Sequence, residues 1–312
     1  MAVRIGVLGA GHFGRFHALK LAARGCLSGL HDADPARAAA VSAETGAPSL
    51  SEAALIEASD AVVVAVPTAH HHTHAMRVLA AGRHLLVEKP IAATVAQAEA
   101  LVEAAAARGL VLQVGHIERH SAAIRTLRAS GAAEAGALFF DAVRVAPFRP
   151  RGLDVSVVLD LMIHDLDLLL DLAGSQLREV RAVGRAVMTP FPDFAVAQLG
   201  FANGAAANLT ASRVSVGLER RLRLLGPAGE VRVDFLARSL EALRPGGAEG
   251  APAMPGWGVD RATWTEHDSL EAEQAAFIAA VAEGVPVEAS GEVGLRALDA
   301  ALRVEAAIAA GM

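Results

Sequence analysis

Over the first 118 residues, short apolar runs of strand length alternate with segments in which apolar positions recur every three or four residues. The runs lie at 3–8, 26–31, 60–67, 84–88 and 110–115, and the helical segments at 12–24, 34–45, 51–58, 70–81 and 94–108. Gly46, Gly82 and Gly109 close three of those segments, as helix-ending glycines do. Strand and helix in strict alternation predict a doubly wound parallel sheet. The run D-A-V-V-V-A-V-P at 60–67 is continuously apolar, as a strand covered on both faces must be. After residue 119 the pattern changes. Segments 138–148, 178–188, 194–202, 205–214, 218–225 and 230–236 read as strands, with Asn203-Gly204 as a hairpin turn and Gly226-Pro227-Ala228-Gly229 as another. Consecutive strands with tight turns predict a mostly antiparallel sheet. Helices are predicted at 157–172, at 269–283 behind an Asp268/Glu271 capping box, and at 294–310, while 245–258 reads as a loose, Pro/Gly-rich segment. The expected fold class is α/β, with two domains: 1–118 around the parallel sheet, and an α+β domain over 119–312.

Ligands of doubly wound sheets bind outside the carboxyl ends of the strands. The first strand ends in G-A-G-H-F-G, placing Gly9, Gly11 and Gly14 at the G-x-G-x-x-G spacing between a strand and a helix. That is the context a dinucleotide fingerprint requires: one glycine for the turn, one for close approach of a pyrophosphate, one for helix–strand packing. His12 and Phe13 occupy the variable positions, at a helix N-terminus whose N–H groups and dipole favour phosphate. Asp32 ends the second strand, where a carboxylate accepts hydrogen bonds from ribose hydroxyls and repels a 2′-phosphate, favouring NAD over NADP. The other strand ends supply Pro67, Thr68, Glu88, Lys89, Gly115 and His116.

Composition narrows the classes. The 312 residues are 53% hydrophobic, enough for two buried cores, and the net charge of −6 offers no broad basic surface to nucleic acid. A single cysteine, Cys26, excludes an internal disulfide and fits a reducing compartment. The opening run passes straight into glycines, and no apolar run free of charge is long enough to span a bilayer; neither a signal peptide nor a membrane segment is expected, and a cytoplasmic location is.

His70, His71, His72 and His74 crowd the start of one helix. Neighbours on a helix diverge, and no cysteine or adjacent carboxylate completes a tetrahedral set, so the expectation is one histidine, His71, near the cofactor and no metal. Lys89 is one of only two lysines, with Lys20, against 26 arginines. It is either a lysine left by chance or one retained because an ammonium can exchange a proton with a reacting oxygen, which guanidinium cannot. The segment V-V-L-D-L-M-I-H-D-L-D-L-L-L-D-L at 157–172 is apolar almost all round, with Asp160, His164, Asp167 and Asp171 on one stripe. Asp160 and His164 stand one turn apart, the arrangement of a general base and the carboxylate that orients it, or of a purely structural pair.

Glu88-Lys89-Pro90, the opening fingerprint and D-x-x-x-H-D-x-D at 160–167 together resemble the Gfo/Idh/MocA family of oxidoreductases over essentially the whole chain. The resemblance implies a Rossmann domain followed by a domain whose large sheet forms a homodimer or homotetramer. It implies that His164 takes a substrate hydroxyl proton, Asp160 orients it, Lys89 holds the reacting oxygen, and hydride passes to NAD. V-G-H-I-E-R at 114–119, A-P-F-R-P-R-G at 146–152 and A-N-L-T-A-S-R at 207–213 are most similar to the family's UDP-N-acetylglucosamine 3-dehydrogenase branch. By that likeness the substrate is a sugar or nucleotide sugar, contacted by Lys89, His116 and His164, with Arg149, Arg151 and Arg213 meeting a diphosphate. One departure is His120-Ser121-Ala122 after Arg119, where relatives tend to carry F-N-P. The alternatives are a dehydrogenase of free sugars or inositols and a non-catalytic NAD-binding sensor on the same fold.

Overall fold

The computed structural model describes residues 3–131, 136–150, 152–265 and 267–311. The chain divides into two compact units, Met1–Ile117 with Asp268–Leu298, and Glu118–His267 with Asp299–Met312.

In the first unit β1 (Ile5–Leu8), α1 (His12–Ala23), β2 (Leu27–His31), α2 (Pro35–Thr45), α3 (Glu52–Ala58), β3 (Ala61–Val64), α4 (His71–Ala80), β4 (His84–Val87), α5 (Val95–Ala106) and β5 (Leu112–Val114) follow one another. All strand pairs are parallel, in the order β2-β1-β3-β4-β5. Every residue of β1 and β3 is buried, which explains the absence of alternation in their sequences. The strand order reverses between β1 and β3, so the topological switch point lies where the glycine turn leaves β1.

The sequence reading assigned everything after 118 to the second domain, but Asp268–Leu298 returns to the first unit. Phe277 of α8 (Ser269–Glu283) packs in the core cluster of Ile5, Val7, Leu21, Leu30 and Val63. The same segment covers the edge of β5: Val114 N donates to Ala289 O at 2.8 Å, and Gln113 bridges Ser290. An unpaired edge at β5 would otherwise be open to another strand.

The second unit contains α6 (Ala122–Ala129), β6 (Phe139–Val145), a π-helical turn (Val158–Met162) continuing into α7 (Ile163–Ala173), then β7 (Leu177–Arg185), β8 (Phe194–Phe201), β9 (Ala206–Ser212), β10 (Glu219–Gly226), β11 (Gly229–Asp234), β12 (Ser239–Pro245), β13 (Glu249–Gly250) and β14 (Trp257–Thr263). The strands form one nine-stranded sheet, β13-β14-β12-β11-β10-β6-β9-β8-β7, antiparallel except where β6 runs parallel to β9. Alternation along β8 buries Ala195, Ala197, Leu199 and Phe201 on one face. Small alanines there and on β9 leave room for the apolar side of the helix, where Val158, Met162, Ile163, Leu166 and Leu169 are buried. The closing helix α9 (Gly291–Ala310) contributes to the first unit up to Leu298 and to the second from Asp299.

Two local expectations are corrected. Segment 157–172 is not one continuous α-helix but begins with the π turn. The stretch read as loose lies between and within β12, β13 and β14, whose exposed faces pair Arg244 with Asp260 and Arg261 with Glu241 and Glu249. Polar, charged edge strands carry little apolar signal.

Candidate active site

The glycine turn is built as the fingerprint requires. Gly9 has φ +95°, and a Cβ there would lie 2.5 Å from Ala65 O. A Cβ on Gly14 would lie 1.8 Å from Gly9 O, so only glycine lets α1 sit this close to the turn. Gly11 is the opposite case: nothing lies within 4 Å of its Cβ position. That open cradle, at the N-terminus of a helix with no acidic residue in its first turn, fits a pyrophosphate. His12 and Phe13 are exposed beside it, stacked edge-on with ring centroids 5.5 Å apart.

Asp32 follows β2 with its side chain only 7% exposed. Its carboxylate accepts from Ala10 N at 2.7 Å and from Asp34 N at 2.8 Å, tying it to the glycine turn. Arg37 Nη1 lies 3.3 Å from the same group and is half exposed. Arg37 Nη1 also reaches the second oxygen at 3.4 Å, so the roughly four acceptor positions of the carboxylate are taken, and ribose hydroxyls would replace the half-exposed Arg37.

Pro67 and Thr68 follow β3, Thr68 opening a short 3-10 turn, Thr68–His70, that leads into α4. His71 was expected near the cofactor. Its ring is buried, each nitrogen facing a backbone carbonyl, Nε2 2.8 Å from Val66 O and Nδ1 2.8 Å from Pro90 O. Of the remaining clustered histidines, His74 bonds Glu52 at 2.7 Å.

After β4, Lys89 is half-buried, between buried Glu88 and a cis bond to Pro90. Glu88 accepts from Lys89 N at 3.2 Å and lies 2.9 Å from His17 Nε2, while Gln274 Nε2 lies 3.0 Å from His17 Nδ1. Burial works to raise the Glu88 pKa, but the His17 hydrogen bond and the charge of Lys89 outweigh it and hold the carboxyl below its ordinary range. Gly115, after β5, makes room: a Cβ there would lie 2.8 Å from Glu88 Oε2. His116 follows, buried, its N–H donating to Val114 O at 2.7 Å. Among the described residues His17, Glu88 and Glu273 bring ligand-type atoms within 4.8 Å of one another. Burial and the Glu88 charge push the Glu273 carboxyl well above its ordinary range. His17, Glu273 and Gln274 escaped the sequence reading. The available signal was polar residues at the 270, 273/274, 277 spacing that otherwise buries Leu270 and Phe277.

In the second unit the helix sets Asp160 and His164, both half-buried. Gly152, with φ +62°, comes so close to Asp160 that a Cβ would lie 3.0 Å from its Oδ2. The rest of the expected stripe is structural. Arg119 grips Asp167 in a two-point pair at 2.7 and 2.8 Å and reaches Asp171 at 3.1 Å. Arg144, also missed by sequence, pairs with Asp165 at 2.8 Å and with Glu118 at 2.9 Å, all buried. Arg149 is exposed, and Arg151 lies outside the described residues. Arg213, expected at a diphosphate, is buried and bonds Asp193 (2.8 Å), Gly152 O (2.8 Å), Val155 O (3.0 Å) and Thr189 Oγ1 (2.9 Å). Four of its five N–H groups are thus used internally, so the cation is matched mainly by the protein's own acceptors.

Residues 3–116 match the family model described as oxidoreductase family, NAD-binding Rossmann fold, and residues 140–232 match the GFO/IDH/MocA C-terminal domain. The UDP-N-acetylglucosamine 3-dehydrogenase of Acidithiobacillus ferrooxidans is 42% identical over 309 residues, covering 99% of this chain and 98% of that protein. The chain belongs to the Gfo/Idh/MocA oxidoreductase family. A solved structure of that Acidithiobacillus enzyme matches with a TM-score of 0.94 over 99% of this chain and 98% of its own. An inositol 2-dehydrogenase of Rhizobium meliloti is 28% identical over 97% of each chain. As a member of this family the protein is an oxidoreductase with NAD as its cofactor, for which Gly9, Gly11, Gly14 and Asp32 form a fitting cradle. No helix among the described residues is long and apolar enough to cross a membrane.

Proposed function

We propose that the protein oxidises a secondary hydroxyl of a nucleotide sugar to a ketone, with the 3-hydroxyl of UDP-N-acetylglucosamine as the substrate group. The observation that carries this reading is the 42% identity to a UDP-N-acetylglucosamine 3-dehydrogenase over almost the full length of both chains. In this reading His164 accepts the hydroxyl proton, and Asp160 orients the imidazole and stabilises its charged form. Lys89 holds the reacting oxygen as it becomes a carbonyl. NAD, when bound, supplies the hydride acceptor. The glycine turn would hold the cofactor's phosphates and Asp32 its ribose, with His12, Phe13, Pro67, Thr68 and Glu88 as further contacts. His116 joins Lys89 and His164 on the sugar, and the second unit's sheet supports a homodimer or homotetramer.

A second reading, oxidation of a free sugar or an inositol, is favoured by the internal engagement of Arg213, which turns one of three expected diphosphate cations toward the protein's own acceptors. Absorbance at 340 nm with NAD and each of UDP-N-acetylglucosamine, N-acetylglucosamine and myo-inositol separates the readings. Turnover with the nucleotide sugar alone is expected. Turnover with inositol or the free sugar, and none with the nucleotide sugar, would overturn the assignment. NAD binding without turnover of any would leave a sensor.

A further inference from the structure

The ladder between β3 and β4 ends at the Val64–Val87 pair and the bond from Glu88 N to Val64 O at 2.9 Å. Beyond it the two chains lead separately to Pro67 and Thr68 on one side and to Lys89 on the other. One side chain spans them. The His71 ring, 1% exposed, places Nε2 2.8 Å from Val66 O and Nδ1 2.8 Å from Pro90 O. Each carbonyl is the immediate neighbour of a residue assigned to the site: Val66 precedes Pro67, and Pro90 follows Lys89.

We propose that His71 is a positioning residue, which ties the β3 end to the β4 end and thereby fixes Lys89 relative to the cofactor segment. The proposal rests on the reading that Lys89 acts on the substrate oxygen. Both partners of the ring are acceptors. A neutral imidazole has one N–H, so it donates to one of the two carbonyls only; because His71 itself lies on the segment that leaves β3, directly after the Thr68–His70 turn, a single hydrogen bond from Nδ1–H to Pro90 O is enough to join the β3 end to the β4 end. Glu88 and Lys89 are the charged groups that act on the ring, with opposite effects. Burial is the larger influence and lowers the His71 pKa, which keeps the ring neutral near pH 7.

The two ends of the ring can be tested separately. His71→Asn puts an amide N–H near the Nδ1 position and keeps the Pro90 contact; His71→Gln reaches the Nε2 position and keeps the Val66 contact. Because Pro90 is the end joined to Lys89, His71→Asn is expected to retain at least about threefold more kcat than His71→Gln at similar Tm. His71→Ala is expected to lose about tenfold or more in kcat, within the roughly hundredfold that a misplacement of about 1 Å costs. Its loss in kcat should exceed any rise in its Kd for NAD, since the glycine turn and Asp32 are untouched and only the Pro67–Thr68 segment is loosened. Added imidazole should restore kcat in the alanine variant with saturation. Equal kcat for the asparagine and glutamine variants, or imidazole that raises Tm without raising kcat, would make the residue a mere packing element. Lys89→Ala serves as the control. If it keeps wild-type turnover, the role of Lys89 falls and the tie loses its object; if it is inactive while His71→Ala turns over normally, only the tie falls.

Discussion

Glu273→Gln is expected to stabilise the protein by an amount that grows with pH. Glu273 is fully buried, and neither carboxylate oxygen has a hydrogen-bond partner. It shares its surroundings with Glu88, which is held ionised by His17 and Lys89. Burial first, and the Glu88 charge second, push the Glu273 pKa well above its ordinary range. In the unfolded chain the same group titrates near pH 4.3, at roughly the model glutamate value. The folded state therefore binds one proton more than the unfolded state at every pH between the two pKa values. Stability from this group is fully present below about pH 4.3 and is lost as pH rises through the folded pKa, at about 1.4 kcal/mol per pH unit. Glutamine carries no titrating proton and fills nearly the same volume, so the variant lacks that slope. Urea melts of both proteins from pH 5 to 8 give the difference directly, because every other titrating group cancels between them. The gap should widen in favour of the variant by up to about 1.4 kcal/mol per unit. Parallel stability curves, or a variant less stable throughout, would mean that Glu273 is ionised and compensated in the fold.

Asp32→Ser is expected to shift cofactor preference toward NADP by at least about tenfold, or 1.4 kcal/mol, because it removes the carboxylate and leaves the Arg37 guanidinium for a 2′-phosphate; calorimetry with both cofactors checks it. His164→Ala should lower kcat by about 10²- to 10⁴-fold while NAD still binds, as measured by single-turnover kinetics and titration. Arg213→Ala should cost about 1–3 kcal/mol of stability, because the part-buried Gly152 and Val155 carbonyls lose their donor while Asp193 keeps the N–H groups of Val187, Met188 and Thr189. A stable Arg213→Ala variant with weakened nucleotide-sugar binding would restore the diphosphate role to that residue.

How much of this was legible in the sequence depends on whether the signal was local. The β2-β1-β3-β4-β5 sheet follows from alternation that each segment shows by itself, and the roles of Gly9 and Gly14 follow from a spacing of a few residues. Strands β12 and β14 were not legible, since Glu241, Arg244, Asp260 and Arg261 mask a short alternation with pairs formed only across the sheet. The return of Asp268–Leu298 to the first unit depends on β5 having an uncovered edge, a property of the assembled sheet and of no single segment.

The charged residues show the same limit more sharply. In the sequence Arg213 and Arg149 are equivalent cations near apolar strands. In the fold Arg213 is enclosed by Asp193 and by the carbonyls of Gly152 and Val155, drawn from segments far apart in the chain, whereas Arg149 is exposed. His71 and His74 are likewise indistinguishable by type, and the difference between them is the acceptor the fold brings to each, Pro90 O after β4 for His71 and the Glu52 carboxylate of α3 for His74. Residue type and spacing therefore identify where charge can be used, but whether that charge remains for a ligand depends on the internal partners that long-range packing brings to it. A buried arginine or histidine whose nitrogens are all matched by protein oxygens contributes to the geometry of the site. One that the fold leaves unmatched at a strand end is the kind that can meet a substrate.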